Sequence, residues 1–237
     1  MNDTITSLKI FTKELFKRPR LKTLYASFKY YLAWRQYHGT GRNSVIDKMP
    51  WLSFSAIDFL KKAVQQNMIV FEYGSGGSTL FWASRTKYVI SVEHDRSWFE
   101  KMHAELISDQ IKNVDYLLAE PQEDPLYAKK SIQNPDDYIS EGKNYSGKNF
   151  QNYVKTIDKY ADEHFDIIIV DGRSRPSCIK HSIGKLRHGG YLVIDNTERQ
   201  YYLSSFHFNK REWKTWNFDG PVPYIYHFSQ TTILKKY

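Results

Sequence analysis

The chain has a single cysteine, Cys178. One thiol excludes an internal disulfide and a zinc cluster of cysteine ligands, and it fits a reducing compartment. No run approaches the roughly eighteen apolar residues that would span a bilayer. The opening Met-Asn-Asp-Thr has neither the charge nor the apolar stretch of a signal peptide. The expected location is therefore cytoplasmic. There is no internal repeat and no low-complexity tract. Acidic residues are the minority: 26 Asp and Glu against 34 Lys and Arg leave a net charge of +8. That excess favours anionic partners, whether nucleic acid, a membrane surface or an acidic substrate, without choosing among them. With 237 residues, 41% of them hydrophobic, one domain with an extension and a sizeable core is expected.

The densest signal lies in Val70–Thr79, Val-Phe-Glu-Tyr-Gly-Ser-Gly-Gly-Ser-Thr. The apolar segment 68–71 reads as a buried strand, Gly74-Ser75-Gly76 as a tight loop and 78–85 as a helix. Such a unit brings backbone close to a nucleotide-like ligand. A second strand, 88–92, ends in Glu93, about twenty residues on, where an acid accepts hydrogen bonds from ribose hydroxyls. A dinucleotide fingerprint wants a third glycine, and Thr79 stands in its place. Glu72, two residues before Gly74, would repel a pyrophosphate and suit a ligand with a sulfonium and an ammonium.

Further strands are expected at 114–119, 165–170 and 191–194, followed by two around 213–218 and 231–234. Helices are expected at 55–66, 98–111, 150–161 and 174–186, the last begun by Pro176 and stopped by Gly189-Gly190. Strands alternating with helices argue for a parallel sheet. Asp171-Gly172 closes the fourth strand and Asp195-Asn196 the fifth.

Four separated motifs carry a resemblance over residues 68–237: Glu72-Tyr-Gly74-Ser-Gly76-Gly77, Glu93, Asp171-Gly172, and Gly189-Gly190-Tyr-Leu-Val-Ile-Asp195. In this order they resemble the class I S-adenosylmethionine (SAM)-dependent methyltransferases. Pro50-Trp51 and the helix to Leu60 are also similar to a leader found in a bacterial subgroup of that superfamily. The resemblance implies a Rossmann-like α/β fold. Its seven-stranded, mostly parallel sheet would end in a C-terminal antiparallel hairpin. The domain boundaries would be 1–42 for a basic helical extension and 43–237 for the methyltransferase domain. It implies SAM as cofactor: Gly74, Ser75 and Gly76 beside its methionine part, where a side chain would clash; Glu72 orienting the ammonium through water or backbone; Glu93 on the ribose; His94 and Glu120 near the adenine. His94 as a plain surface histidine stays open.

Methyl transfer needs a nucleophile held in line and relieved of its proton. Asp171 and Asp195 are the candidate catalytic residues. With Asn196 they form an oxygen-only set suited to Mg²⁺. Ile194-Asp195-Asn196-Thr197 resembles the strand end of cation-dependent O-methyltransferases of the catechol and caffeoyl-coenzyme A type, where matching positions bind metal. Here Asp171 is followed by Gly172-Arg173 and no second acid. The alternative is metal-free, with Asp171 as base or positioning group and Asp195-Asn196 as a turn or cap. Arg173 and Arg175 either clamp a carboxylate or phosphate of the substrate or are salt-bridged. His181 reads as structural and Cys178 as buried.

Residues 5–38 are basic and helical in pattern, interrupted at Pro19, and Gly39-Thr-Gly41 ends the section. One apolar face is expected to comprise Leu24, Phe28, Tyr31, Leu32 and Trp34. The helices either cap the domain or touch a membrane at its inner surface or another partner. Residues 121–148 are a polar loop over the sheet edge, either a substrate lid or a disordered insertion. No Asn-Pro-Pro-aromatic motif follows the fourth strand, which disfavours methylation of nucleic-acid bases. The expected acceptor is oxygen on a small molecule or saccharide. The competing readings are a non-catalytic nucleotide-fold module and an NAD-dependent oxidoreductase.

Overall fold

The computed structural model describes residues 3–38 and 41–237. Met1-Asn2 and the Gly39-Thr40 part of the expected Gly39–Gly41 break lie outside them. The elements in chain order are α1 (Asp3–Lys17), α2 (Leu21–Tyr37), α3 (Phe54–Ala63), β1 (Ile69–Tyr73), α4 (Gly77–Ala83), β2 (Tyr88–Glu93), α5 (Arg96–Ser108) and β3 (Val114–Leu118). There follow β4 (Gln122–Glu123), β5 (Lys148–Asn149), α6 (Gln151–Val154), β6 (Phe165–Val170), α7 (Arg175–Ile183), β7 (Leu186–Ile194), β8 (Trp213–Gly220) and β9 (Ser229–Lys236).

Seven strands form one sheet in the order β3-β2-β1-β6-β7-β9-β8. β9 is antiparallel to both neighbours, and the remaining pairs are parallel. This is the Rossmann-like architecture expected from the sequence, hairpin included. The central strands are buried on both faces, and the period of two sorts their residues. Val70, Val89, Ile167, Ile169, Val193 and Ile233 pack with residues of α2, α3 and α4 on one side. Phe71, Val92, Ile168, Val170, Leu192 and Leu234 pack with α6 and α7 on the other.

Two boundaries differ from expectation. The helix predicted over 150–161 is one turn of α-helix, α6, followed by a 3₁₀ stretch, Lys155–Lys159. Gly189-Gly190 does not stop a helix. α7 already ends at Ile183, and the glycine pair lies inside β7, where the register with β6 shifts.

Pro19 separates α1 from α2, because proline lacks the N–H a helix needs. α2 buries Thr23, Ala26, Ser27, Tyr30 and Trp34. The expected apolar face is thus corrected: Phe28 and Leu32 are 80% and 76% exposed. Trp34 is fully buried, with Phe11 at 4.9 Å and its indole N–H donating to the Ile225 carbonyl. Phe11 also meets Phe228 at 5.0 Å. The Asp219 carboxylate ties both helices to β8 by accepting from Arg18 and from the Thr23 hydroxyl. Among the described residues no helix is long and apolar enough to cross a membrane.

Trp34→Ala is expected to cost about 3–5 kcal/mol, the usual loss for a fully buried aromatic. Denaturant unfolding checks it. A loss under about 1 kcal/mol would mean that the N-terminal helices add little to the core.

Candidate functional site

The chain runs outward from β1 through β2 to β3, then returns to β6 beside β1. Ligands of open α/β sheets bind outside the carboxyl ends of the strands at such a reversal. The cavity of about 720 Å³ lies there. Its walls include Gly74–Ser78 after β1, Glu93 and His94 after β2, Asp171–Arg173 after β6, and Asp195 and Asn196 after β7.

The glycine loop is shaped by close approaches. Gly74 has φ +90°, a conformation L side chains rarely adopt, and a Cβ there would lie 2.9 Å from Gly172 Cα. Contact between the two strand ends is thus a reason for glycine at 74 in its own right. At Gly77 a Cβ would sit 1.8 Å from the Ser44 carbonyl oxygen, so the turn before α3 needs glycine beneath it.

Glu72 faces away from the cavity, completely buried under the loop. Its carboxylate accepts from Thr79 Oγ1 at 2.6 Å, Ser91 Oγ at 2.7 Å and Trp82 Nε1 at 3.2 Å. Thr79 Oγ1 in turn accepts from the Gly76 N–H at 3.1 Å. Direct contact of Glu72 with a ligand in the cavity is thus ruled out, which leaves the route through the loop backbone. Burial pushes its carboxyl up to about 7, against hydrogen bonds that pull it down.

Glu93 does face the cavity. Its Oε2 accepts from the Ser75 N–H and hydroxyl, and its Oε1 from the N–H groups of His94 and Asp95. Burial pushes its carboxyl up, but these donors and the His94 ring outweigh it and hold it below the usual range. His94 is half-buried in the cavity wall, not a plain surface histidine. Its Nδ1 lies 2.8 Å from Glu93 Oε1, and its Nε2 is 2.9 Å from the Tyr145 hydroxyl. Glu120 is exposed and bonded to the Arg96 guanidinium, outside the cavity. Its expected contact with a base is corrected accordingly.

Asp171 and Asp195 both reach the cavity, and Arg175 lies between them. Its guanidinium donates to Asp171 Oδ1 at 3.0 Å, to the Asp171 and Gly172 carbonyls, and to the Asp195 carbonyl. Asp195 Oδ1 accepts from the Thr231 hydroxyl at 2.7 Å. The Asn196 amide is turned to Ser229 Oγ at 2.8 Å. The expected Mg²⁺ set therefore does not fit: the Arg175 guanidinium already pairs with the Asp171 carboxylate, and the Asn196 amide is bonded to Ser229. Among the described residues no three His, Cys, Asp or Glu side chains are grouped to hold a metal. Burial raises the Asp171 carboxyl to about 6 although Arg175 lowers it. Burial and the neighbouring Asp171 push Asp195 well above its usual range.

The 121–148 segment is folded, pinned by the β4–β5 pairing and by Asp124, which accepts from Lys130. It supplies Ser140, Glu141 and Tyr145 to the cavity. Arg173 lies over the Tyr145 ring at 4.6 Å and makes no ion pair among the described residues. Sequence reasoning missed Trp98, whose indole N–H donates to the Ser75 carbonyl, and Arg199 and Tyr202 after β7. Only the aromatic at the start of α5 gave a signal. His181 and Cys178 are structural: His181 bridges Asp158 and Tyr138, and Cys178 is fully buried.

No protein-family model matches the chain, and no curated protein matches its sequence. Solved structures do. One is a Streptococcus mutans protein, assigned as a methyltransferase, in complex with SAH: identity is 18%, the TM-score 0.51, and the match covers 76% of this chain and 94% of that one. Another is the O-methyltransferase TomG from Streptomyces achromogenes, involved in tomaymycin synthesis, in complex with SAM. Here identity is 14%, the TM-score 0.51 and the coverage 100% and 99%. A Clostridium thermocellum protein assigned as an rRNA methylase gives 14% identity, a TM-score of 0.50, and coverage of 77% and 93%. The chain has the class I methyltransferase fold.

Glu72 yields a test of the loop's support. Its carboxyl is raised to about 7 from an ordinary 4.5. The folded state thus keeps a proton that the unfolded chain gives up. The contribution of this group to stability is complete below pH 4.5 and is lost as pH rises through 7. Glu72→Gln cannot ionise, so the stability of the parent relative to this variant should fall by about 3 kcal/mol between the two ends. Unfolding curves at low and high pH check it; a pH-independent difference would place the titration elsewhere.

Proposed function

We propose that this chain is a SAM-dependent methyltransferase that methylates oxygen on a small molecule or saccharide. The observation that carries the reading is Glu93. An ionised carboxylate sits at the cavity wall beside the glycine loop, on the same cavity as Asp171. Bound SAM would supply an electrophilic methyl group on a sulfonium.

The residues present fit that ligand. Glu93 would accept the ribose hydroxyls, with Ser75 beside it. Trp98 and His94 would flank the base. Glu72 would act through the loop backbone, keeping the Gly76 N–H in place by way of Thr79. Asp171 would take the proton of the acceptor hydroxyl, since a carboxyl raised to about 6 is a better base than an ordinary one. Arg175 would orient it, and Asp195 would hold a second proton nearby. Arg173, lacking a carboxylate partner, would seat an anionic group of the acceptor. The folded segments 121–148 and 196–202 wall the cavity and favour a small acceptor over a base within a folded nucleic acid.

Calorimetry should give SAM or its demethylated product a Kd on the order of micromolar, and no NAD binding. Glu93→Ala should weaken SAM binding roughly ten- to a hundredfold. Tighter binding of NAD than of SAM would overturn the reading, and unchanged affinity in the variant would remove Glu93 from the site.

Because the Arg175 guanidinium holds Asp171, Mg²⁺ should leave the melting temperature unchanged, whereas a bound ion would raise it. A rise that is lost in Asp171→Asn would show that the Asp171–Arg175 pair opens for an ion.

A further inference from the structure

We propose that the outward face of α2 seats the protein on an anionic lipid surface. The inference is independent of the methyl-transfer reading and rests on a different part of the molecule.

α2 has two apolar faces. At about 100° per residue, Thr23, Ala26, Ser27, Tyr30 and Trp34 share one side, and Leu21, Tyr25, Phe28 and Leu32 fall within an arc of roughly 60° on the other. The first set is buried against the domain. The second is 85%, 72%, 80% and 76% exposed. Phe16, five residues before Leu21, is 82% exposed. Four large apolar side chains in line on one face contribute nothing to this domain's own core. A patch of that kind marks an interaction surface.

The charge around the stripe identifies the partner. α2 contains Lys22, Lys29 and Arg35 and no acidic residue. By the same angular count Lys22 and Lys29 lie to one side of the stripe and Arg35 to the other. Residues 1–38 hold eight Lys and Arg against two Asp and Glu, which is most of the chain's net +8. Lys29 is paired with Asp58 of α3 at 2.9 Å, whereas Lys9, Lys13 and Lys22 make no ion pair among the described residues. An apolar stripe flanked by cations, in a segment with a large excess of them, matches an interfacial helix: the ring and alkyl groups enter the headgroup boundary, and Lys22 with the unpaired lysines of α1 meets anionic lipids. A second copy of the chain fits worse. Face to face, two α2 helices would set cations against cations with no acid on either helix to compensate.

The full chain would be sedimented with phosphatidylcholine vesicles and with vesicles of phosphatidylcholine and phosphatidylglycerol. It should follow the anionic vesicles only, and less so at about 1 M than at about 0.1 M salt. The double variant Phe28→Ser with Leu32→Ser should partition about tenfold less or weaker still. Both side chains are exposed, so its unfolding midpoint should match the parent's, which separates loss of docking from loss of fold. Failure to follow anionic vesicles, or equal partition by the variant, overturns the proposal. A dimer in light scattering that the double variant turns into a monomer also overturns it, since a second copy would then cover the face.

Discussion

The site depends on a carboxylate that never touches the cavity. Glu72 is the one charged residue in β1, and it is completely buried. Placing a carboxyl there is costly unless its oxygens are satisfied. Thr79 and Trp82 from α4 and Ser91 from β2 supply the donors. Those bonds fix the start of α4 against two neighbouring strands. Thr79 Oγ1 then passes the constraint on to the Gly76 N–H. A turn that would otherwise be free to move is held from beneath, and its upper side is left bare for a ligand. Neutralising the acid by protonation keeps the burial but changes what the hydroxyls face. A carboxyl raised by burial on the far side of the loop would in this way couple stability to pH.

Arg175 has the complementary role across the reversal point. It collects carbonyls from two strand ends, Asp171 and Gly172 after β6 and Asp195 after β7, together with the Asp171 carboxylate. Its plane lies over the Tyr202 ring at 5.1 Å. A guanidinium suits this place because its fixed fork serves several acceptors at once. The cation that neighbouring carboxylates would otherwise draw from solution is provided by the chain. Asp171 still keeps one side toward the cavity. Burial raises its carboxyl to about 6, and the Arg175 charge limits the rise.

Much of this was legible in the sequence. Apolar runs ended by Glu93, Asp171 and Asp195 located the strand ends, since buried strands must be apolar and polar residues gather at the edge. The glycines marked the loop. What the sequence did not convey is direction. β1 is buried on both faces, so no alternation of polar and apolar residues tells which way Glu72 points. Glu120 and Arg96 are 24 residues apart, and only the fold brings their side chains together in solvent. Arg175 could be read as a substrate clamp or a salt bridge until its partners were placed. α2 misled for a related reason. With apolar residues nearly all round, its period does not say which face is inward, and the small Thr23, Ala26 and Ser27 are buried where the helix comes closest to β8.

The same logic bears on the acceptor. Every carboxylate on the cavity wall has a donor of its own: Glu93 has four, Asp95 has Ser97 and the Trp98 N–H, Glu141 has Tyr201, Asp195 has Thr231, Asp171 has Arg175, and Glu198 has Ser229 and the Gln230 N–H. Arg173 is different. It leans on the Tyr145 ring and touches only the Glu141 carbonyl, at 3.4 Å. This guanidinium, flanked by ring and carbonyl, lines the cavity and makes no ion pair among the described residues. The unmatched charge on this part of the cavity wall is therefore positive. A carboxylate or phosphate on a bound molecule, sugar or otherwise, would complete the pairing that the described residues leave open.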